Sequence, residues 1–491
     1  MSITGAVILV FIIYVALTFV IGYFGWKKTK LTPEDFFLAG RTLGPFVLSL
    51  TLIATYASMW TFLGAVGTNY RFGTSFMSCM ITYNVLWPLM IWVFGVRMWL
   101  LGKKFGYITP SDMFADYYQS EAMRVIVAII GIIALIPYMS IQLLGGGLAF
   151  EAATGGAIPF WAGALIMVII IALYTFFGGL RAVVWSDVLQ GLFFLVALLV
   201  LAIWAIKLTG GNPFRIIAEK HPEIFDPGRF KWGMWFAFIM TWAFSPLLPH
   251  MMQRSFMAKS GKTIAQSAVS VAILSPWFQT VTVMLIGISA LVLLPGLTGK
   301  ATDAIIPALL AKYAPYVGAV VTSAAFAAGM STLDSQLISA SSLLTQDIWV
   351  KYIDPKADAR RETIIGKIFV LVVTVVMFFF VLTKPGFIVV LGTAGAGICI
   401  AAYMFPTIGV LFWPRVGTTA ALWSLIVAGV VAFVTFAVWK FPLGIYNTIW
   451  GMLAGLVTFL ILTWTTKPLP YEQQEKFHGY LTSVIHGEKT G

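Results

Sequence analysis

Cysteine and histidine are scarce in this chain, with two and four copies among 491 residues. Cys79 and Cys399 both fall in apolar runs, so no disulfide framework follows and they read as small core residues. His221, His250, His478 and His486 are scattered, without the spacing of metal ligands. No nucleophile with a partnering base is visible, and the expectation is a protein that is not an enzyme. Charge is the third shortage. Asp, Glu, Lys and Arg supply 10% of the residues, against about 25% in soluble domains. The "SGKT" at 260–263 lacks the glycine a phosphate-binding loop would place five residues before Gly261, where Phe256 stands. An ATP-driven pump therefore has no motif to rest on. A repeated selectivity filter, as a channel would need, is also missing.

Hydrophobic residues fill the space these absences leave: they are 60% of the chain. A bilayer span needs about 20 apolar residues, and such runs recur along nearly the whole length, so the fold class is an all-α integral membrane protein. Thirteen spans are expected, near 4–26, 43–69, 74–100, 122–151, 158–180, 185–208, 232–252, 265–295, 317–348, 364–383, 388–412, 417–439 and 445–466. The opening "MSITGAVILVFIIYVALTFVIGYFGW" has no basic start or small-residue cleavage site and is too long for a signal peptide's apolar core. It reads as a retained helix.

The net charge of +12 has a simple origin in Lys and Arg gathered on cytoplasmic loops, and no nucleic-acid partner is expected. With the N-terminus outside and the C-terminus in the cytoplasm, roughly two thirds of the cationic residues fall inside, among them "KKTK" (27–30), Arg254 and Lys489. The expected location is a plasma membrane of the bacterial inner-membrane type, crossed many times.

The extracellular stretch 209–231 divides two groups of five spans, 42–208 and 232–412. They are preceded by an extra helix and loop (1–41) and followed by two helices (413–466) and a cytoplasmic tail (467–491). Each group opens on an interrupted helix: "LSLTLIATYASMWTFLGAVGTNY" (48–70) mixes Thr, Ser and Gly at mid-depth, and "WFAFIMTWAFSPLLPHMMQRSF" (235–256) carries Pro246 and Pro249. Backbone freed by such breaks is tolerated in lipid only where it is buried or lines a cavity. Paired breaks point to a transporter with inverted repeats and a site near the midplane.

"AAGMSTLDSQLISASSLLTQDIW" (327–349) is the most polar of the long apolar runs. On a helix, Ser331, Asp334, Ser335, Ser339, Ser342 and Thr345 fall within about 140° of one another. An Asp at the centre of such a helix costs about 2.5–3.5 kcal/mol on insertion scales, so it needs a partner unless it lies near the cytoplasmic end and is solvated. Hydroxyls, carboxylates and freed carbonyls together are the ligand set of a small hard cation. Interhelical hydrogen bonding accounts for some of the hydroxyls equally well.

That segment resembles a signature of the sodium:solute symporter family. "YTFFGGLRAVVWSDVLQG" (174–191) is similar to the family's other signature, and "PHMMQRSFMAKS" (249–260) to a third recurring segment. The resemblance implies thirteen helices with a five-plus-five inverted repeat, and sodium-coupled uptake of a small organic solute by alternating access. It implies Na⁺ as the coupling ion, no organic cofactor, no obligate protein partner, and lipid as the surroundings. The implied sodium ligands are carbonyls of Ala54, Ala57 and Ala328 with hydroxyls of Ser331 and Thr332. A second cation site, found in some members, would involve Asp187, Asp334 and Ser335 together with Ser331. Here Asp334 replaces a serine. It could strengthen cation binding, carry a proton, or pair with Arg181. The implied solute pocket takes Tyr56, Ser58 and Thr61 from the first broken helix, Gln142, and Trp242 and Ser245 before Pro246. "ATYASMWTFLG" (54–64) is most like the pantothenate and monocarboxylate branch, which favours a small carboxylate. No intramembrane arginine is expected to meet it, since the cationic residues fall at span ends. Proline-, sugar- or sialic-acid-type symport is the alternative within the family, and a sensor or channel on the transporter fold the alternative outside it.

Overall fold

The computed structural model describes residues 2–383 and 386–487; Lys489, counted above as an inside cation, lies outside the described residues. Among the described residues the protein is helical, with a single isolated β-bridge joining Leu43 to Ala258. Ten helices are long and apolar enough to cross a bilayer, or eleven when one bent pair is taken as a single span.

In chain order the membrane helices are α1 (Ile3–Lys27), the bent pair α2 (Pro45–Tyr56) and α3 (Trp60–Phe72), α4 (Thr74–Phe105), α5 (Glu121–Ala153) and α6 (Phe160–Leu208). After a stretch carrying the short helix Pro213–Lys220 come α7 (Trp232–Ala243) and α8 (Pro249–Met257). Then follow α9 (Gly261–Leu293), α10 (Pro315–Ile353), α11 (Ala359–Leu382), α12 (Ile388–Leu411), α13 (Thr418–Ala437) and α14 (Asn447–Thr465). Helix starts are fixed by familiar chemistry. The Ser2 hydroxyl accepts from the Gly5 N–H ahead of α1, and Pro45, Pro249 and Pro315 sit in first turns, where a missing N–H costs nothing.

Three interruptions shape the interior. Between α2 and α3 the chain turns by 59°, with Ala57 at φ −82° and ψ 101°. Between α7 and α8, Ser245–Leu247 forms a tight turn and Leu248 is extended (φ −68°, ψ 142°), the conformation a residue before proline prefers. The third was not expected in this form. The spans read as 158–180 and 185–208 make one 49-residue helical run, whose register breaks only at Gly179 (φ 56°, ψ −160°). Only glycine fits there, because a Cβ would lie 2.5 Å from the Phe36 ring.

The polar helix α10 and the small-residue helix α12 form the centre and are buried along most of their length. Helices α1, α11 and α14 expose one apolar face each, as lipid-facing helices do. At the C-terminal end of α10, the Arg124 guanidinium bridges Asp112 (2.6 Å) and the buried Asp347 (3.0 Å), pinning α10 to the start of α5. The polar stripe of α10 is thereby held against the breaks in α2–α3 and α7–α8.

Candidate sodium and solute site

A helix that stops inside the membrane leaves its last carbonyls without partners, and each must find another donor. At the end of α2 the Ile53 carbonyl accepts from the Ala57 N–H, closing the last turn. The next two carbonyls are met from α10. The Ser331 hydroxyl donates to the Ala54 carbonyl at 2.9 Å and the Thr332 hydroxyl to that of Thr55 at 3.0 Å. Both hydroxyls also lie within reach of the Ala328 carbonyl, at 3.2 and 3.3 Å. Ala54, Ala328, Ser331 and Thr332 are therefore assembled into one oxygen-lined junction, wholly buried. The carbonyl opposite Thr332 is that of Thr55, not of Ala57. Ala57 has already left helical geometry, so its carbonyl no longer runs along the α2 axis.

On the far side of the break, α5 supplies the missing acceptor. The Gln142 side-chain oxygen accepts the Met59 N–H at 3.0 Å. Gly145 lets α5 come this close, since a Cβ there would stand 2.7 Å from Met59 Cγ. Ser58 is drawn into the turn, its hydroxyl accepting from the Trp60 N–H at 3.1 Å.

Around this turn an aromatic box closes. Tyr56 stacks on Trp87 with ring centroids 4.1 Å apart and meets Trp242 edge-on at 5.8 Å. Trp60 and Trp242 lie 4.9 Å apart, and both indole N–H groups donate to the Thr393 hydroxyl, at 3.2 and 3.3 Å. Tyr138 stands between Trp242 and His250. Of the six residues expected here, Tyr56 and Trp242 are walls of this box, and Ser58 and Gln142 bond the backbone of the adjoining turn. Ser245 ends the same broken helix as Trp242, and Thr61 opens α3 on the other side of the turn. Gln142 Nε2, Ser245 Oγ and His250 Nδ1 are among the buried polar atoms without a hydrogen-bond partner, as is Tyr83 Oη beside Trp60. Buried polar groups are normally paired, so unpartnered atoms beside a break leave hydrogen-bonding capacity for water or a polar guest.

The residues expected around a second cation are arranged otherwise. Asp187, from α6, is fully buried and accepts from the Thr51 hydroxyl and from Arg254 Nη2, the latter at 3.1 Å. Asp334 is fully buried and not solvated; it accepts from the Tyr174 hydroxyl and, at 3.1 Å, from that of Ser335. Arg181 does not reach it. That guanidinium is held by Asp35 at 2.5 Å and the Ala39 carbonyl at 3.1 Å. Arg254, read from the sequence as a cation at a span end, is 1% exposed and lies in the protein core, engaged by Asp187. Helix α8 continues one turn past the expected span end at 252 and carries Arg254 into the core. Its Nη2 also donates to Ser335 (2.5 Å), Thr51 (3.1 Å) and Thr55. Thr51, Thr55, Tyr174, Arg254 and Thr393 were thus missed as site residues. The signal for Arg254 was present: a membrane-buried Asp requires a cation, and Arg254 follows Pro249 by little more than one turn.

The model of the sodium:solute symporter family matches residues 36–428. The sodium/pantothenate symporter of Escherichia coli (strain K12) is 29% identical over 477 residues, covering 93% of this chain and 95% of that protein. Sodium/proline symporter 2 of Staphylococcus saprophyticus is 29% identical over 487 residues, covering 93% and 92%. Among solved structures, a Na⁺-coupled sialic acid symporter in a substrate-bound outward-open state aligns with a TM-score of 0.77 over 95% of this chain and 99% of that one. At 18% identity this is a likeness of fold.

Proposed function

The chain belongs to the sodium:solute symporter family, and from that premise we propose that it imports a small organic carboxylate, of the pantothenate or monocarboxylate kind, with sodium bound at the α2–α10 junction. It is a multi-pass, sodium-coupled solute transporter and not an enzyme. The observation that carries the proposed site is the meeting of Ser331 and Thr332 with the end of α2. Their hydroxyls and the carbonyls of Ala54, Ala328 and Thr55 are neutral oxygens of the kind that can replace water around Na⁺. Ala57 adds a carbonyl at the break itself.

The solute is proposed to lie in the aromatic box. Gln142 Nε2 and Ser245 Oγ are donors without acceptors, and His250 Nδ1 joins them in one of its tautomers, so the box suits an acceptor-rich guest. Arg254 is engaged by Asp187, so a carboxylate would be met by these neutral donors. Sodium and solute would then hold the same three-residue turn, 57–59, from opposite sides. Each ligand orders the turn for the other, and by linkage each raises the other's affinity equally. One sodium ion moving down about 100 mV supplies roughly 2.3 kcal/mol, enough for about fiftyfold accumulation.

The expected architecture belongs to this proposal too: thirteen spans in two inverted groups of five, with the N-terminus outside and the C-terminus inside. The break at Gly179 and the pairing of α7 with α8 support that count. In reconstituted vesicles, labelled pantothenate, lactate, pyruvate and acetate, with proline and sialic acid as the alternatives, would be offered with and without an inward sodium gradient. Accumulation of one carboxylate only with the gradient is expected. Equal uptake in sodium-free medium would overturn the coupling, and preference for proline the solute class.

A further inference from the structure

We propose that the groove between α1 and α6 binds one anionic phospholipid, with an acyl chain lying along the groove and the headgroup phosphate on Lys28.

The groove, about 510 Å³, is walled by Ile21, Phe24, Gly25 and Lys28 of α1 and by Trp185 and Leu189 of α6. Glycine brings the two helices together here, since a Cβ on Gly25 would lie 2.7 Å from Ala182 Cα. Phe24 and Trp185 are left as walls, and they are 61% and 46% exposed. On helices that cross a bilayer, large apolar groups exposed to this degree face acyl chains. One end of the groove differs. Lys28 caps the C-terminus of α1, and a lysine so placed lays its methylenes on apolar surface while its ammonium reaches headgroup level. Trp185 adds an amphipathic ring of the kind that settles at that same level.

The charge at this end is not neutralised by the protein. Lys27, Lys28 and Lys30 enter no ion pair among the described residues. The acids that follow them, Glu34 and Asp35, are held by Arg41 and Arg181. An apolar channel ending in uncommitted ammonium groups complements a molecule with hydrocarbon at one end and a negative phosphate at the other. A zwitterionic lipid would fill the same channel, but its own cationic group offsets the phosphate, so the lysine favours a headgroup of net negative charge. The α6 stretch beside the groove also backs the proposed sodium junction. A Cβ on Gly191 would lie 3.2 Å from that of Ala54, whose carbonyl meets Ser331. A seated lipid thus braces α1 against the helix that supports the end of α2.

The test is native mass spectrometry of the purified full-length protein offered equimolar dioleoyl phosphatidylglycerol and dioleoyl phosphatidylcholine. Wild type is expected to retain one phosphatidylglycerol about fivefold over phosphatidylcholine, equivalent to about 1 kcal/mol for one lysine beside an anionic lipid. Lys28→Gln should keep a lipid but lose the preference. Leu189→Trp, which fills the groove, should lose the bound lipid of either kind, and excess inorganic phosphate should leave the wild-type lipid in place. No preference on wild type, an unchanged preference in Lys28→Gln, or undiminished retention by a monodisperse Leu189→Trp protein would overturn the proposal, as would displacement by phosphate. None of these readouts involves sodium, so the proposed sodium site can fail without taking the lipid site with it.

Discussion

Two oxygen cages sit one turn apart on α10, and they are built by opposite rules. The upper one, at Ser331 and Thr332, is made of neutral carbonyls and hydroxyls and contains no charged side chain. The lower one, at Ser335, contains a carboxylate and is closed by Arg254. A cage of neutral dipoles can stand in the membrane without a guest, because each hydroxyl simply donates to a neighbouring carbonyl. A buried carboxylate needs donors aimed at it, as Asp334 has from Tyr174 and Ser335 and Asp187 from Thr51 and Arg254, since an uncompensated charge in a dry interior costs several kcal/mol. Neutral oxygens therefore suit an ion that comes and goes, and a carboxylate suits a cation that stays.

The sharpest way to break this contrast is to remove charge from the lower cage. Asp187→Asn leaves the Arg254 guanidinium buried and unpaired, and a loss of about 3–5 kcal/mol is expected, read as a large fall in thermal unfolding temperature in detergent. Should Asp187→Asn be as stable as wild type, the lower cage is not held by charge. Tyr174→Phe removes one donor from Asp334 and is expected to cost less, about 1–2 kcal/mol in the same assay, because Ser335 still donates to that carboxylate. In the upper cage the effect moves from stability to transport. Thr332→Ala should raise the sodium concentration for half-maximal uptake about tenfold, equivalent to about 1.4 kcal/mol, and Thr332→Ser should restore most of it. An unaltered sodium dependence in Thr332→Ala would remove that residue from the site. Smallest for the fold is Ser245→Ala. Its hydroxyl has no protein partner, so stability should change by less than about 0.5 kcal/mol while the solute concentration for half-maximal uptake rises. Unchanged solute dependence would place the guest elsewhere.

Sequence reasoning named residues that meet at the end of α2, and it missed several that surround Asp187. Ser331 was legible as the first residue of a polar stripe in an apolar run, and Thr332 through the resemblance of 327–349 to the family's signature. The breaks were legible too, because Pro246 and Pro249 cannot continue a helix, and the Ala-Ser turn at 57–59 matched them in position. That the Thr55 carbonyl faces Thr332 was not, since it depends on where α2 ends its last turn, a detail of one or two residues that composition does not carry. Arg254 was misplaced for a physical reason. Counting cations at span ends treats every such residue as solvated, and α8 starts afresh at Pro249 and runs inward long enough to bury it. Asp334 was rightly flagged as needing a partner, but Arg181, the nearest cation in the motif, is already held by Asp35. The partner is a tyrosine hydroxyl, which hydropathy cannot distinguish from any other aromatic of the core.

The most direct measurement is the thermal unfolding temperature of the purified protein in sodium chloride and in potassium chloride at equal ionic strength, for wild type and for the double variant Ser331→Ala/Thr332→Ala. A ligand that binds only the folded state stabilises it by about 1.4 kcal/mol at ten times its dissociation constant. Wild type should gain stability with sodium and not with potassium, and the double variant should gain none. A double variant that sodium stabilises as strongly as wild type would contradict the account.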